Sequence, residues 1–205
     1  MSNEATEVEG PPPIVPGVAR ALSPLVRRIA AKVDGEAGAN TYLVGIDEIV
    51  VVDPGPSDGE HLDAIAGCGG DRIRWIVTTG ANDASGANTL SKMTGAAVLN
   101  VDGVGRGLKH SQSLEVGEAI LGTEFKLSVL EAPGLAVPRV CFFLEEERVV
   151  FSGDYLDILS PQPIEVSNDF YQAVAELRRK RLRGIAPLRG QMIETPKVYL
   201  EQFSL

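Results

Sequence analysis

Strand-like and helix-like patterns alternate along this chain, with no long linker and no recognisable internal repeat. Three strands are predicted near its beginning, over residues 26–33, 41–46 and 48–53, because their composition is typical of strands. The last two are joined tightly around Asp47. The pattern predicts one continuous domain, over residues 17–205, in which strands and helices follow one another.

Composition indicates a soluble globular protein. Of the 205 residues 44% are hydrophobic and 23% are charged, and no apolar run is long enough to span a membrane. Residues 1–16 are acidic and end in P-P-P-I-V-P, so we expect a flexible segment rather than a signal peptide, and a cytoplasmic protein. Cys68 and Cys141 lack metal-binding spacing and are expected to stay reduced.

Two helix starts carry capping signals. Ser57 is followed by Glu60 three residues later, which predicts a capping box after Pro56. Ser167 is the predicted N-cap of the last long helix, with Asp169 in its first turn.

Six segments of the chain resemble motifs of one hydrolase family. They are G-A-N-T-Y-L-V-G (38–45), V-V-V-D-P-G-P (50–56), R-I-R-W-I-V-T-T (72–79), E-A-P-G-L-A-V-P-R-V-C-F (131–142), V-V-F-S-G-D (149–154) and I-A-P-L-R-G (185–190). The family is the metallo-β-lactamase superfamily, and within it the branch similar to β-lactamase-like protein 2. The resemblance implies an α/β (α+β) fold: a four-layer α/β/β/α sandwich of two mixed β-sheets flanked by helices, with the site at one edge between the sheets.

The same resemblance implies where a metal site would lie, and its histidines are missing. The family's ligand positions fall on Thr79, Ala81, Asp83, Ala84, Leu135, Asp154 and Arg189. Only Asp83 and Asp154 match the family, and the two histidines of the chain, His61 and His110, lie elsewhere. A catalytic zinc site needs about three protein ligands, for which imidazole is well suited. We therefore expect no metal cofactor, although zinc is the family's metal, and a loss of hydrolase activity.

The retained aspartates also have ordinary structural interpretations. Asp83 precedes a helical pattern that it could cap, and Asp154 follows a strand in a Gly-Asp pair typical of turns. Two carboxylates without a metal would repel each other, so we expect Arg189 to replace the lost cation and pair with Asp154.

Three functions remain open. In the first, a pseudoenzyme binds a small molecule or a protein, in a regulatory role, through the former active-site cleft at Thr79, Asp83, Leu135, Asp154 and Arg189. In the second, a hydrolase still acts, either with Mg²⁺ or Mn²⁺ held by the two aspartates and water or without metal. In the third, the fold serves as a structural subunit of a homo-oligomer.

Nucleic acid is disfavoured as a partner, although relatives in the superfamily include nucleases. Five basic residues near the end of the last long helix form the candidate patch, namely Arg178, Arg179, Lys180, Arg181 and Arg183. The formal net charge of −9 repels polyanions at long range, so a solvated helix end is the favoured interpretation.

Overall fold

The structure is a computed structural model that describes residues 11–80, 85–105, 107–157 and 166–203. Its first sheet has seven strands in sequence order: β1 (Arg20–Ala21), β2 (Val26–Val33), β3 (Glu36–Val44), β4 (Ile49–Val52), β5 (Ile73–Val77), β6 (Ala97–Asn100) and β7 (Gln112–Ser113). Strands β1 to β4 pair antiparallel, and β4 to β7 pair parallel. The early strand predictions are confirmed, except that β3 begins five residues before the predicted segment.

The second sheet has five strands: β8 (Ala119–Leu121), β9 (Lys126–Ala132), β10 (Arg139–Leu144), β11 (Val149–Gly153) and β12 (Gly184–Pro187). Strands β8 to β11 form an antiparallel meander, and β12 joins β11 in parallel. The α-helices of the described residues are α1 (Gly59–Gly69), α2 (Ser85–Thr94), α3 (Asn168–Arg179) and α4 (Pro196–Glu201), and a short 3-10 helix (Gly70–Arg72) follows α1. None of them is long and apolar enough to cross a membrane.

Alternating side chains on the strands build three apolar cores, which define four layers. In β4, Val50 and Val52 face the second sheet and pack in the same core as Phe142 and Phe151. The intervening Val51 points to the other face, where α1 and α2 cover the first sheet. Helices α3 and α4 cover the outer face of the second sheet. The predicted α/β/β/α sandwich of two mixed sheets is therefore confirmed.

Of the two helix starts predicted from the sequence, that of α3 is confirmed and that of α1 differs. Ser167 caps α3 by accepting a hydrogen bond from the backbone N–H of Asp169 at 3.3 Å, as predicted. For α1 the N-cap is Asp58, whose side chain accepts from the N–H of Glu60, so the predicted cap at Ser57 is wrong by one residue. The Ser57 hydroxyl instead lies 2.8 Å from that of Thr89 in α2.

The chain before β1 lies along the first sheet. The N–H of Gly17 donates to the carbonyl of Ala30 at 2.8 Å, and the carbonyl of Pro12 accepts from the side chain of Gln191. The described part of the predicted flexible segment is therefore hydrogen bonded to the domain, and residues 1–10 lie outside the described residues.

The two sheets meet at one edge, where several strands end together. The N–H of Leu188 donates to Gly153 at 2.8 Å, and its carbonyl accepts from the N–H of Asn40 at 2.6 Å. The N–H of Val140 donates to the carbonyl of Thr79 at 2.9 Å. These bonds link the first sheet to the second and hold the ends of β5, β11 and β12 together at this edge.

Candidate active-site cleft

Asp53 is the buried acidic group at this edge. It follows β4 directly, has a positive φ of 54°, and is only 8% exposed. Its Oδ1 accepts the backbone N–H of Thr79 at 2.8 Å, and its Oδ2 accepts the Thr79 hydroxyl at 2.7 Å. Burial raises the pKa of Asp53 to about 6, against the effect of the two Thr79 hydrogen bonds. The nearby charge of Asp154 raises it further, whereas Arg139 lowers it.

Asp154, at the end of β11, is held by an arginine. Nε of Arg139 lies 2.6 Å from Oδ1 of Asp154, and Nη2 lies 2.9 Å from Oδ2. The two side chains are 12% and 25% exposed, so the pair is largely shielded from water. A remaining guanidinium nitrogen donates to the carbonyl of Pro138 at 3.1 Å. This planar, two-pronged arrangement is the strongest geometry available to an arginine and a carboxylate.

Two glycines make room for this arrangement. A Cβ added to Gly80 would lie 2.7 Å from Cδ and Nε of Arg139, so the arginine stem crosses directly over the glycine. A Cβ added to Gly153 would lie 2.0 Å from the hydroxyl of Thr79. Thr79 is thus packed between the Asp53 carboxylate and the end of β11, and Asp53 and Asp154 lie in one connected polar cluster.

The residues singled out from the sequence have different surroundings in the structure. Thr79 and Asp154 both lie in the cluster. Leu135 packs with the apolar core beneath α3 and α4. Ala81, Asp83 and Ala84 lie outside the described residues, and so does the predicted helix cap at Asp83.

The predicted pairing of Arg189 with Asp154 is wrong. Arg189 is exposed and forms no side-chain hydrogen bond or ion pair with any residue that the structure describes, and its backbone bridges to Ala39. The cation beside Asp154 is Arg139, which reaches it from the adjacent strand β10. Sequence reasoning expected a cation here but placed it at the family's ligand position, whereas the fold supplies it from the neighbouring strand.

Arg189 instead lines a small cavity next to the cluster. The cavity has a volume of about 230 Å³, and its walls include Asp53, Thr78, Arg189, Ala39, Pro56 and Leu188. An acidic group at the wall, an exposed cation and apolar side chains are a combination that suits a small polar molecule.

Cys141 does not add a nucleophile to this site. Its side chain is 1% exposed in β10, and burial strongly raises the pKa of the thiol. A thiol that remains protonated is a poor nucleophile, and Cys141 packs in the apolar core between the second sheet and α3.

The described residues do not fit a zinc site. No group of three or more His, Cys, Asp or Glu side chains that could hold a metal occurs among residues 11–80, 85–105, 107–157 and 166–203. Both oxygens of Asp53 accept hydrogens from Thr79, and both oxygens of Asp154 accept from Arg139. The two carboxylates therefore already have partners within the protein, and the charge of Asp154 is already neutralised by Arg139.

Two members of the cluster were missed by the sequence analysis. Asp53 ends the strand predicted over residues 48–53 and lies in one of the six matched segments, but it was not among the predicted site residues. The sequence does contain a sign of its burial, because an acidic residue that directly follows a fully apolar strand is held close to the protein interior. Arg139 opens the apolar run of β10, and no local pattern distinguishes it from an ordinary strand-end arginine.

Comparison with known proteins gives a limited match in sequence. No protein family model matches the chain. It is 23% identical over 186 residues to the atrochrysone carboxyl ACP thioesterase of Cryptosporiopsis sp. (strain 8999), a match that covers 84% of this chain and 56% of that protein. The chain therefore spans a little over half the length of this relative.

The likeness in structure is much stronger. A metallo-β-lactamase family protein of Thermus thermophilus superposes with a TM-score of 0.71 at 18% identity, over 89% of this chain and 79% of that one. The chain has the metallo-β-lactamase fold. A second example is the chemotaxis sensor ODP, described as a peroxy diiron species, with a TM-score of 0.71 at 19% identity over 92% of this chain and 94% of its own. At these identities the likeness concerns the fold alone.

Proposed function

We propose that this chain is a non-hydrolytic binding protein with the metallo-β-lactamase fold, in which Arg139 takes the electrostatic place of the metal. The observation that carries the proposal is the two-pronged bond between Arg139 and Asp154. Asp154 matches the family carboxylate that bridges two metals, and here a permanent cation of the chain itself neutralises it. The guanidinium cannot lose its proton at any physiological pH, so the neutralisation does not depend on a dissolved ion.

The position of the guanidinium also opposes a metal. A divalent ion bound to either oxygen of Asp154 would lie within about 5 Å of the guanidinium nitrogens, because metal–oxygen bonds are about 2.1 Å long. At an effective dielectric constant of about 20, that repulsion amounts to roughly 7 kcal/mol. The carboxylate of Asp154 still attracts the ion, but its charge is already neutralised by Arg139, so the pair attracts a metal much less than a free carboxylate would. This comparison favours a metal-free site.

The cavity beside the pair suits a small organic anion. Arg189 lines it with an exposed cation that has no bond to another described side chain, whereas both oxygens of Asp53, the acidic residue of the wall, are already hydrogen bonded to Thr79. Its volume of about 230 Å³ lies below the roughly 300–1,000 Å³ of drug-sized sites, so the ligand would be a compact molecule. A carboxylate on such a ligand would pair with Arg189 at the rim, while its remainder contacts Ala39 and Leu188.

Metal content measured by mass spectrometry tests the first part of this proposal. The protein is purified without chelator from cells supplied with zinc, manganese and magnesium. We expect less than about a tenth of an equivalent of each metal, in the wild type and in a conservative Asp154→Asn variant. A stoichiometric metal in the wild type that disappears in the variant would overturn the proposal.

Calorimetric titration with small carboxylates tests the second part. Acetate, malonate and glutarate, each at matched ionic strength, are compared on the wild type and on Arg189→Gln. We expect at least one of them to bind the wild type and to lose about tenfold or more in affinity in the variant. Arg183→Gln serves as the matched control, because Arg183 is an exposed arginine that does not line the cavity. The absence of binding by all three, or equal binding by the Arg189 variant, would contradict an anion site.

A second candidate function is the hydrolysis of an acyl thioester. It is favoured by the partial likeness to the thioesterase of Cryptosporiopsis sp., which covers 84% of this chain. The test is release of free thiol from acetyl and β-ketoacyl thioesters, with and without added zinc, manganese or magnesium. Thiol release that is lost in Asp154→Asn would support this candidate and would replace the non-hydrolytic proposal.

A further inference from the structure

A groove lies between α3 and α4, on the outer side of the second sheet. Two adjoining cavities form it, with volumes of about 510 and 280 Å³, and Arg178 lines both of them. The larger cavity extends along α3 from Asn168 and reaches Phe203, and the smaller one continues to Leu182 and Pro196. At about 1.5 Å per residue, α3 gives the groove a length of roughly 18 Å. That length accommodates a peptide segment rather than a single small molecule.

Apolar side chains form the floor of the groove. Three of them keep accessible surface there, since Tyr171 and Leu182 are half-buried and Ala175 is exposed. They lie beside Leu200 and Phe203, which belong to the core beneath the two helices and fix the floor in place. A fixed apolar floor between two helices suits the apolar side chains of a binding partner.

One end of the groove is cationic. Arg178, Arg181 and Lys197 line the smaller cavity, and none of the described residues that line either cavity is acidic. Arg181 and Lys197 are exposed, and neither forms an ion pair with a carboxylate among the residues that the structure describes. Their charges are therefore available to carboxylates of a partner that lies in the groove.

The structure divides the five basic residues singled out in the sequence into two sets. Arg179 pairs with Glu176, the ammonium group of Lys180 lies 5.0 Å from the centre of the Phe143 ring, and Arg183 lines neither cavity. The remaining two are the arginines of the groove. The basic stretch is therefore not one uniform surface, and its contribution to the groove is confined to the end of α3.

The backbone holds Arg181 in a fixed position at this end. The residue has a positive φ of 52°, a conformation that is unfavourable for arginine. The side chain of Arg148, between β10 and β11, donates to the Arg181 carbonyl at 2.9 Å, and the N–H of Arg183 donates to the Arg148 carbonyl at 2.9 Å. Strained residues that are held by their surroundings are concentrated at ligand-binding sites. Arg181 is thus positioned before any partner binds.

We propose that this groove docks an acidic amphipathic segment of a protein partner. Its apolar side chains would lie on the floor and its carboxylates at Arg181 and Lys197, in the manner of a helix bound in a groove. Nucleic acid offers phosphates but no aliphatic side chains for the floor. The formal net charge of −9 opposes a highly charged partner, whereas a short segment meets the local cations within a Debye length of about 10 Å. None of the cleft residues takes part, so this surface is independent of the function proposed for the cleft.

The test uses the full chain and the fluorescein-labelled peptide E-E-L-E-E-L-E-E, with binding followed by fluorescence anisotropy. The two leucines of the peptide are spaced so that they share one face of a helix. We expect saturable binding to the wild type. The peptide E-E-A-E-E-A-E-E keeps every charge but should bind about tenfold or more weakly, because alanine buries less apolar surface than leucine. The peptide K-K-L-K-K-L-K-K should not bind.

Matched substitutions locate the bound peptide. Ala175→Glu introduces a carboxylate at an exposed groove position where glutamate is still a good helix former, and should weaken binding about tenfold or more. Met93→Glu adds the same charge to an exposed position of α2 and should have no such effect. Arg181→Asn, which tolerates the positive φ, and Lys197→Gln should each weaken binding severalfold. Arg183→Gln is their control and should bind within about twofold of the wild type.

Four results would overturn the proposal. One is the absence of saturable binding by the leucine peptide. Another is equal binding by the alanine peptide, which would make the surface a simple charge patch. A third is undiminished binding by Ala175→Glu, which would place the peptide elsewhere. The fourth is tighter binding of poly-U RNA than of the leucine peptide, lost in Arg181→Asn, which would assign the groove to nucleic acid.

Discussion

Thr79 donates both of its polar hydrogens to the carboxylate of Asp53, one from its backbone and one from its hydroxyl, at 2.8 and 2.7 Å. Replacing Thr79 by valine removes only the hydroxyl and keeps the size and shape of the side chain. A hydrogen bond to a buried charge is worth about 1.5–3 kcal/mol, so we expect Thr79→Val to lower the free energy of unfolding by that amount at pH 7.5. Urea denaturation measures it.

The control for this substitution is Thr123→Val. Thr123 also donates its hydroxyl to a carboxylate, that of Glu48 at 3.1 Å, but this bond lies on the exposed surface. Water replaces such a bond readily, and we expect a change below about 0.5 kcal/mol. Equal effects of the two substitutions would show that burial does not strengthen the Thr79–Asp53 bond.

The raised pKa of Asp53 predicts that stability falls as pH rises from about 4 to about 6. The carboxyl has a pKa of about 6 in the folded protein, compared with an ordinary value of 3.8. Within that window the folded protein binds more protons than the unfolded chain, so raising the pH favours unfolding. At about 1.4 kcal/mol per pH unit, the contribution reaches roughly 3 kcal/mol.

Asp53→Asn isolates this contribution, because asparagine accepts the same backbone bond and tolerates the positive φ at this position. Urea denaturation of both proteins across the window should give a difference in unfolding free energy that varies with pH. A difference that stays constant from pH 4 to pH 7 would contradict the raised pKa.

The Arg139–Asp154 pair should show strong energetic coupling. A double-mutant cycle with Arg139→Met and Asp154→Asn measures it, since methionine retains the arginine stem and asparagine retains the carboxylate shape. The pair is largely shielded and doubly bonded, so we expect a coupling free energy of about 1–3 kcal/mol.

The surface pair Arg179–Glu176 provides the comparison. Its side chains are 75% and 63% exposed, and it lies on one face of α3 at a spacing of three residues. Pairs of this kind contribute about 0.2–0.5 kcal/mol. If the double-mutant cycle of Arg179 and Glu176 gave the same coupling free energy as that of Arg139 and Asp154, the cleft pair would be no stronger than an exposed surface pair.

Gly153→Ala should be severely destabilising. The residue has a φ of 54°, and an added Cβ would lie 2.0 Å from the Thr79 hydroxyl, so backbone strain and a clash act together. We expect a loss of about 3 kcal/mol or more, measured by thermal and urea unfolding. Gly95→Ala is the control, because Gly95 has a φ of 75° but nothing within 4 Å of an added Cβ. Gly95→Ala should lower the free energy of unfolding by only about 1–2 kcal/mol, because it introduces backbone strain without a clash.

The layered fold could be predicted from the sequence, because it depends on patterns that are local. Val50 and Val51 point to opposite faces of a buried strand, and such apolar runs indicate strands wherever they occur. The capping serine of α3 was likewise readable from a few neighbouring residues. At α1 the sequence offered Ser57 and Asp58 side by side, and only the backbone geometry decides which of them caps the helix.

The polar cluster could be predicted only in part, because its partners are distant in the chain. Asp154 was found from the resemblance, but its cation comes from β10 through a pairing that depends on strand register. Arg189 occupies the equivalent family position, yet the chain at this point lies alongside Ala39 and directs the side chain to the neighbouring cavity. Burial of Asp53 depends in the same way on how the two sheets close over the end of β4.

The passage of Arg139 over Gly80 bears on how this scaffold could be re-engineered. A histidine introduced at position 79 would remove the hydroxyl that serves Asp53 and would crowd Gly153. A metal-binding side chain placed beside Gly80 would face a guanidinium that already holds Asp154. Arginine removal alone would leave Asp154 without its cation. A designed metal centre would therefore require Arg139 and the ligand positions to be changed together. Changing them one at a time would pass through proteins of lower stability.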